Sequence, residues 1–198
     1  MSKRSSAWMA VIRDWGESIL VAFVLAMFIR AFFFQAFKIP SGSMKSALQV
    51  GDRLIVNKLV YGPKIPFTTE KSGYRLPGFS SPRRGDVVVF IYPVDPKRDF
   101  IKRLVAVGGE TVEIRSGDIY INGKKVDLPV IDNIYYYNRG PYADPGQVIQ
   151  VPEGHYFVLG DNSSSSHDSR YWGFVPERYM IGKAQLIFWP LTRIRFIK

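Results

Sequence analysis

Apolar and polar positions divide this chain into one long apolar segment followed by a series of short apolar runs. The long segment extends from Ile19 to Phe37 and is interrupted only by Arg30 and Gln35. A helix of this length spans about 28 Å, close to the thickness of a bilayer's hydrocarbon core. Arg30 is tolerable near one membrane face, because its long stem lets the charge reach the headgroups. The pattern therefore predicts one transmembrane helix over residues 18–37.

Two other interpretations fit an apolar segment near the N-terminus: a cleavable signal peptide and the core helix of a soluble domain. A signal peptide is disfavoured, because the run is long and ends in bulky phenylalanines rather than in small residues. The core helix stays open, since an apolar run alone does not reveal what covers it.

The remainder of the chain predicts antiparallel β-structure. Short runs rich in valine, isoleucine and aromatic residues recur between glycine and proline positions. The clearest runs are Arg53–Val60, Asp86–Tyr92, Phe100–Val107, His155–Leu159, Lys183–Trp189 and Arg193–Ile197. Thr111–Ile114 and Ile119–Ile121 predict a hairpin around Ser116-Gly-Asp118, and Asn122-Gly123 marks a second tight turn.

These elements divide the chain into four parts. Residues 1–17 precede the helix, residues 18–37 form it, residues 38–108 and 151–198 form a β domain, and residues 109–150 form a small inserted β lobe. The stretch from Gly62 to Arg84 is rich in proline, glycine and serine, which predicts a long exposed loop. The expected fold class is mostly β, with an antiparallel sheet preceded by one N-terminal transmembrane helix.

Composition narrows the chemistry. The sequence has no cysteine, which excludes disulfides, thiolate metal sites and thiol proteases. Two histidines are too few for a histidine-rich metal site, so we expect neither a metal nor a cofactor. The formal net charge of +10 is spread along the chain and no nucleic-acid-binding motif occurs, so we expect no nucleic-acid partner. Attraction to anionic lipid headgroups and ordinary solubility explain this charge equally well.

Two short motifs carry candidate chemistry. Ser41-Gly-Ser-Met-Lys45 offers a serine nucleophile just after the apolar segment, and Phe100-Ile-Lys-Arg103 places a lysine inside a strand-like run. A serine hydroxyl is a poor nucleophile until a base takes its proton, and a lysine acts as that base only when neutral. Apolar neighbours on both sides of Lys102 favour the neutral amine by desolvation. Each motif alone also fits an ordinary loop serine and an ordinary edge-strand lysine.

Three further motifs occur in order with these two. They are Gly51-Asp-Arg-Leu-Ile-Val-Asn-Lys58, Arg84-Gly-Asp-Val-Val-Val-Phe90 and Gly160-Asp-Asn-Ser-Ser-Ser-Ser-His-Asp-Ser-Arg170. The ordered set, from about Phe37 to Trp189, resembles type I signal peptidase, a family of membrane-bound serine proteases with a Ser-Lys dyad. The resemblance implies a serine endopeptidase that removes N-terminal signal peptides from exported preproteins, cutting after small residues in Ala-x-Ala-like sequences.

The same resemblance implies roles for individual serines and for the lysine. Ser43 would be the nucleophile and Lys102 the general base. Ser41 would contribute its hydroxyl to the oxyanion hole, and Ser166 would orient the lysine amine. Gly42 supports the role of Ser43, because a residue without a side chain lets the backbone approach a substrate carbonyl closely.

Other residues are expected to surround this dyad. Two acids and two arginines would form structural ion pairs: Arg103, Asp161, Asp168 and Arg170. Shallow apolar substrate pockets would be lined by Phe37, Ile39, Pro40, Met44, Leu48, Phe100 and Ile101, although each of these also suits a place in the core. A Ser-His-Asp triad through His167 and Asp168 is disfavoured, because neighbours in a chain rarely reach that geometry.

The sequence departs from the family pattern at two places. Lys45-Ser-Ala-Leu48 stands where the family commonly has x-Pro-Thr-Leu, and Gly108-Gly-Glu110 replaces Pro-Gly-Asp. Neither departure touches Ser41, Ser43 or Lys102, so any effect is expected on catalytic efficiency rather than on function.

The location follows from the resemblance, because the basic residues on the two sides of the apolar segment are nearly balanced. It places residues 1–17 in the cytoplasm and the catalytic domain on the outer face of the plasma (inner) membrane, in a single-pass protein. The expected partners are signal-peptide-bearing preproteins, the lipid bilayer and the protein-export machinery. Two alternatives remain: a self-cleaving Ser-Lys regulator, and an inactive membrane-anchored β domain that binds peptides.

Overall fold

A long apolar helix precedes all of the β-structure. The structure is a computed structural model that describes residues 2–65 and 75–197. Helix α1 spans Ser2–Phe32, and its stretch Trp15–Phe32 has a mean hydropathy of 1.7 with none of it buried against the rest of the chain. An exposed, mostly apolar helix of 18 residues matches a bilayer rather than the interior of a soluble domain. The interpretation as a soluble core helix is therefore wrong.

The observed helix differs from the predicted one, residues 18–37, at both ends. α1 already begins at Ser2 and ends at Phe32. The rest of the apolar run forms strand β1, Phe34–Lys38, which pairs along its whole length with strand β2, Arg53–Asn57. Aromatic residues are common in β-strands as well as in membrane helices. Pairing with β2 gives the backbone N–H and C=O groups of this segment their hydrogen-bond partners. The sheet therefore begins two residues after the apolar helix ends.

In the described part of the chain, twelve strands and two short helices follow α1. The strands are β1 (Phe34–Lys38), β2 (Arg53–Asn57), β3 (Val87–Ile91), β4 (Asp99–Val107), β5 (Thr111–Arg115), β6 (Asp118–Ile121), β7 (Lys124–Lys125), β8 (Ile149–Gln150), β9 (His155–Leu159), β10 (Val175–Pro176), β11 (Met180–Trp189) and β12 (Arg195–Phe196). The helices are α2 (Pro129–Asp132) and α3 (Ser169–Trp172). All of the strand pairs are antiparallel, so the predicted fold class is confirmed.

The larger sheet has eight strands and apolar side chains packed on both faces. Its order is β1-β2-β11-β3-β4-β9-β10, and β12 pairs with β11. Val87 and Val89 pack on one face while Val88 and Phe90 pack on the other, which explains why β3 is apolar at every position. β9 pairs with β4 only from Arg103 onward, so the first half of β4 keeps an unpaired edge on that side.

The smaller sheet has the order β7-β6-β5-β8 and lies within residues 109–150. Both predicted hairpin turns are confirmed: Ser116 and Asn122 have φ of 51°, and each is followed by a glycine with positive φ. Two consecutive residues with positive φ are the geometry of the tight turns that match strand twist. Tyr136 is fully buried between this sheet and side chains of β4 and β9, so the two sheets share a core.

Candidate active site

Ser43 and Lys102 are brought into contact from distant parts of the chain. Ser43 lies in a 3₁₀ turn, Gly42–Met44, shortly after β1, and Lys102 lies in the first half of β4. Lys102 Nζ is 2.6 Å from Ser43 Oγ, and the two residues are only 4% and 8% exposed. A charged lysine donates to the hydroxyl at this distance, whereas a neutral amine accepts the hydroxyl proton. The pair therefore has the geometry of a nucleophile and its base.

The turn that carries Ser43 is held by the loop that follows β9. The Asn162 N–H donates to the Ser43 carbonyl (2.9 Å), and Asn162 Nδ2 donates to the Gly42 carbonyl (3.0 Å). Gly160 allows this close approach. A Cβ at that position would lie 2.1 Å from Ser166 Oγ and 2.6 Å from the Ser43 carbonyl oxygen. Only glycine fits at this position. This steric constraint explains why the motif that begins at residue 160 has a glycine there.

The environment of Lys102 favours its neutral form. Burial lowers the pKa of Lys102 to about 8, although the carboxylates of Asp168 and Asp161 act in the opposite direction. Roughly one such amine in ten is then neutral at pH 7, against fewer than about one in a thousand for an exposed lysine. In the part of the chain that the structure describes, Ser43 is the one hydrogen-bond partner of the amine. Lys102 is therefore able to act as a base near neutral pH.

Two buried ion pairs flank the Ser43–Lys102 contact. Arg103 donates to both carboxylate oxygens of Asp161 (2.8 and 2.6 Å), and Arg170 donates to both of Asp168 (2.8 and 2.9 Å). Arg170 also donates to the hydroxyl and the carbonyl of Ser163, which fixes the loop after β9. The four charges predicted to pair thus neutralise one another and leave none directly on Lys102.

The two other serines of the predicted site lie close to this contact. Ser41 precedes the turn in an extended conformation, is exposed to the cleft, and makes no N-cap hydrogen bond with its hydroxyl. Ser166 is buried beside Gly160, but its hydroxyl has no hydrogen-bond partner among the described residues. The predicted hydrogen bond from Ser166 to the Lys102 amine is therefore not formed in this structure.

The Ser43–Lys102 contact opens into a cleft of about 310 Å³. One wall is the segment from Pro40 to Ser43, and the other is the unpaired first half of β4, from Asp99 to Lys102. Ser165 and His167 close the cleft from the loop after β9. Ser43 and Lys102 thus both border a space that is open to the surface.

Known proteins with similar sequences identify the family. Residues 12–189 match the family described as signal peptidase, peptidase S26. The chain belongs to this family. It is 38% identical over 185 residues to a probable signal peptidase I-2 of Synechocystis, covering 90% of this chain and 74% of that protein. It is 34% identical over 211 residues to signal peptidase I of Pseudomonas aeruginosa (89% and 73% covered) and 33% identical over 246 residues to that of Aquifex aeolicus (90% and 90% covered).

Of the seven residues predicted to line substrate pockets, three border the cleft. Pro40, Phe100 and Ile101 line the cleft. Met44 and Leu48 have no exposed surface. Ile39 is 2% exposed, and Phe37 packs against the same core cluster as these three residues. Ile39, Met44 and Leu48 are thus core residues in this structure and do not line the cleft.

Other cleft residues were not predicted from the sequence. Asp99, Ser165 and His167 all line the cleft. His167 Nε2 is 3.1 Å from the Tyr92 hydroxyl, and the Tyr92 ring stacks on Phe100 at 4.2 Å. These residues come together through side-chain contacts between β3, β4 and the loop after β9, for which no local sequence pattern exists.

Neither histidine of the chain is placed as a base for Ser43. His155 Nδ1 bonds the Glu153 carbonyl oxygen, and His167 Nε2 bonds the Tyr92 hydroxyl. Within the described ranges, no group of three histidine, aspartate or glutamate side chains is arranged to hold a metal ion. Lys102, by contrast, is in direct contact with Ser43 Oγ.

Proposed function

We propose that this protein is a membrane-bound serine endopeptidase that removes N-terminal signal peptides from exported preproteins. The observation that carries the proposal is the 2.6 Å contact between Ser43 Oγ and Lys102 Nζ in an open cleft. Membership of the signal peptidase family supports the substrate class. The exposed apolar helix α1 supports the proposed location, because insertion of this helix into a bilayer would hold the cleft close to the membrane.

The proposed reaction has two halves. In the first, neutral Lys102 Nζ accepts the Ser43 hydroxyl proton while Oγ attacks the carbonyl carbon of the bond to be cut. When the C–N bond breaks, Nζ gives that proton to the leaving amine of the mature chain, and the signal peptide remains on Ser43 as an ester. In the second half, Lys102 Nζ takes a proton from water while the water oxygen attacks the ester carbon. When the C–Oγ bond breaks, Nζ returns this proton to Ser43 Oγ, and the signal peptide leaves with a free carboxyl group.

The proposed oxyanion hole consists of the Ser41 hydroxyl and the Ser43 backbone N–H. Ser41 borders the cleft immediately before the nucleophile turn, with its hydroxyl not used as a helix cap. Donors aimed at the oxygen where negative charge develops are worth about 2.7–4 kcal/mol each. Ser41 is therefore proposed to stabilise the transition state rather than to bind the ground state.

The proposed substrate binds as an extended strand. The unpaired edge of β4 from Asp99 to Lys102 offers backbone groups to such a peptide whatever its side chains are. Selectivity then comes from the apolar walls at Pro40, Phe100 and Ile101, next to the bond that is cut. Small apolar residues suit these positions, which supports Ala-x-Ala-like cleavage sites.

The proposed orientation puts residues 1–17 in the cytoplasm and the cleft on the outer face of the plasma membrane. Ser43 lies eleven positions after Phe32, the end of α1, and five of the ten residues between them form β1. Even a fully extended chain of that length reaches only about 36 Å, so the cleft lies near the bilayer surface. Contact with the protein-export machinery is part of the proposal, since preproteins reach this surface through it. Protease protection of the β domain in sealed vesicles tests the orientation.

Purified full-length protein in detergent, incubated with a preprotein that carries an Ala-x-Ala site, tests the function. We expect a single cleavage after the second alanine, detected by mass spectrometry, and none with Ser43→Ala. A protein that cuts only its own chain would instead support the self-cleaving regulator. Binding of the preprotein without cleavage would support the inactive peptide-binding domain.

A further inference from the structure

Two parts of the cleft lining are connected by a side chain that does not itself border the cleft. His167, from the loop after β9, and Phe100, from β4, both line the cleft. Tyr92 lies just after β3, is buried, and contacts both of them. Its hydroxyl is hydrogen-bonded to His167 Nε2 (3.1 Å), and its ring stacks on the Phe100 ring at 4.2 Å with an interplanar angle of 4°. Tyr92 therefore ties the loop after β9 to the β4 wall of the cleft.

The His167 ring is held in place on two sides, although the residue is exposed to the cleft. The Tyr171 ring lies against it at 5.1 Å and the Tyr92 ring meets it edge-on at 6.2 Å. The backbone beside it is fixed as well, because the buried Asp168 carboxylate accepts a hydrogen bond from the Gly160 N–H. The folded chain, rather than a bound substrate, thus sets where this imidazole lies.

Phe100 depends on side-chain contacts for its own position. It lies in the first half of β4, which β9 does not pair, so one edge of its backbone has no neighbouring strand. On the other edge β3 pairs with it, and the Phe90 ring meets the Phe100 ring at 6.4 Å. The Lys102 amine lies 5.6 Å from the centre of the Phe100 ring. The space between His167 and Phe100 is therefore directly beside the proposed base.

We propose that His167 is a specificity-determining residue, which Tyr92 holds in place so that the cleft beside Phe100 accepts only small side chains. The inference rests on the proposed peptidase function and deepens it, since it names a residue that limits the size of the substrate side chain. A small side chain of a bound peptide fits between the two rings. A longer one has to displace the imidazole and break its hydrogen bond to Tyr92.

Cleavage of three preproteins by the full chain in detergent tests the proposal. They differ only at the cleavage site, which is Ala-x-Ala, Leu-x-Ala or Ala-x-Leu. We expect His167→Ala to raise kcat/KM for one of the two leucine substrates, relative to Ala-x-Ala, about tenfold, because a missing ring makes room for the longer side chain. A general loss of stability lowers all three rates and leaves their ratios unchanged. His155→Ala is the control, since His155 does not line the cleft.

Tyr92→Phe tests the tether without removing a ring from the cleft. This variant keeps the stack on Phe100 but loses the hydroxyl that bonds His167. It should change the same substrate ratio in the same direction by about fivefold, the factor for one hydrogen bond. The double variant with His167→Ala should match His167→Ala alone, because the hydroxyl then has no imidazole to hold.

Peptide binding to chains that also carry Ser43→Ala separates this proposal from the proposed function. A failure of the unchanged chain to cut any of the three preproteins contradicts the peptidase function, and the dissociation constants of the three peptides then measure the size selectivity. The role of His167 is overturned if His167→Ala keeps the selectivity of the unchanged chain. It is also overturned if the effects of His167→Ala and Tyr92→Phe simply add.

Discussion

On β4, consecutive residues put two buried cations on opposite faces of one strand. Lys102 is 4% exposed and hydrogen-bonds a serine hydroxyl, whereas Arg103 is 2% exposed and binds both oxygens of the Asp161 carboxylate. The carboxylates nearest to Lys102, Asp161 and Asp168, are already paired with arginines. They therefore raise the pKa of Lys102 less than burial lowers it. One strand thus keeps one cation permanently charged and makes the other easy to deprotonate.

This difference follows from the chemistry of the two side chains. A guanidinium stays charged in proteins, and its planar fork matches a carboxylate, so burial is tolerable only with that partner. A lysine amine loses its proton more readily when it is desolvated, because desolvation lowers its pKa. On one face of β4 the fold therefore depends on keeping both partners of the ion pair, and the face with Lys102 opens to the cleft. Substitution of Lys102 should therefore change the rate of cleavage, whereas substitution of Arg103 should change the stability of the fold.

The largest effect is expected from removing either member of the proposed dyad. Ser43→Ala and Lys102→Met should each lower kcat/KM by roughly 10⁴-fold or more, and the double variant should be no worse than either. The measurement is the initial rate of preprotein cleavage. Lys102→Met with more than a tenth of the original rate would place the base elsewhere.

A substitution on the opposite face of β4, at Arg103, should change the free energy of unfolding. Arg103→Leu leaves the Asp161 carboxylate buried without its partner, so the free energy of unfolding should fall by about 3–5 kcal/mol. Replacing both residues by leucine should recover most of that loss, because no unpaired charge remains. Thermal unfolding of the full chain in detergent measures both variants. A double variant as unstable as the single one would contradict this explanation.

Lys102→Met should stabilise the protein while it abolishes activity. The folded-state pKa of Lys102, about 8, lies below the value of about 10.4 for an unfolded chain. The unfolded chain therefore binds more protons between these values, and stability of the unchanged protein rises with pH across that window. Below about pH 8 the methionine variant should be more stable by about 3 kcal/mol. If the methionine variant were only as stable as the unchanged protein at pH 7, burial of the charged Lys102 amine would not destabilise the fold.

A smaller effect is expected at Ser166. Its buried hydroxyl has no partner among the described residues, so Ser166→Ala should leave stability unchanged or raise it slightly. If the hydroxyl orients the Lys102 amine during the reaction, kcat should fall roughly tenfold. Ser81→Ala, at an exposed serine that does not line the cleft, is the control. An unchanged kcat for Ser166→Ala would remove the orienting role.

The smallest effect is expected from the histidines. Replacing His155 and His167 together by glutamine should leave the rising limb of kcat/KM against pH where it was, because neither contacts Ser43. A limb that disappears in a folded double variant would reopen a histidine mechanism.

Several features of the molecule were predictable from local sequence, while others depend on tertiary contacts. The hairpin turns followed from Ser116-Gly117 and Asn122-Gly123, because the backbone conformation there depends on those residues. The end of α1 at Phe32 did not follow, since the phenylalanines after it suit a membrane and a strand equally. Pairing with β2 decides between these states, and no local pattern contains it.

The active site also combines features that local sequence predicts with features that depend on tertiary contacts. Ser43 and Lys102 were found by motif, but the distance between them depends on how β1, β4 and the loop after β9 pack. An apolar residue suits a pocket wall and a core position equally, so Met44 and Leu48 were assigned to substrate although they are buried. His167 lies at the cleft and contacts the Tyr92 hydroxyl, and no sequence pattern predicts this contact.

The central claim is that Lys102 is easily deprotonated in the resting protein, and a direct titration of that amine tests it. NMR of the full chain with ¹³C-labelled lysine follows each Cε signal against pH, and Lys102→Met identifies the signal of Lys102 by its loss. The account predicts a midpoint of about 8 for this signal. A Lys102 signal that titrates near 10.4, as an exposed lysine does, would contradict it.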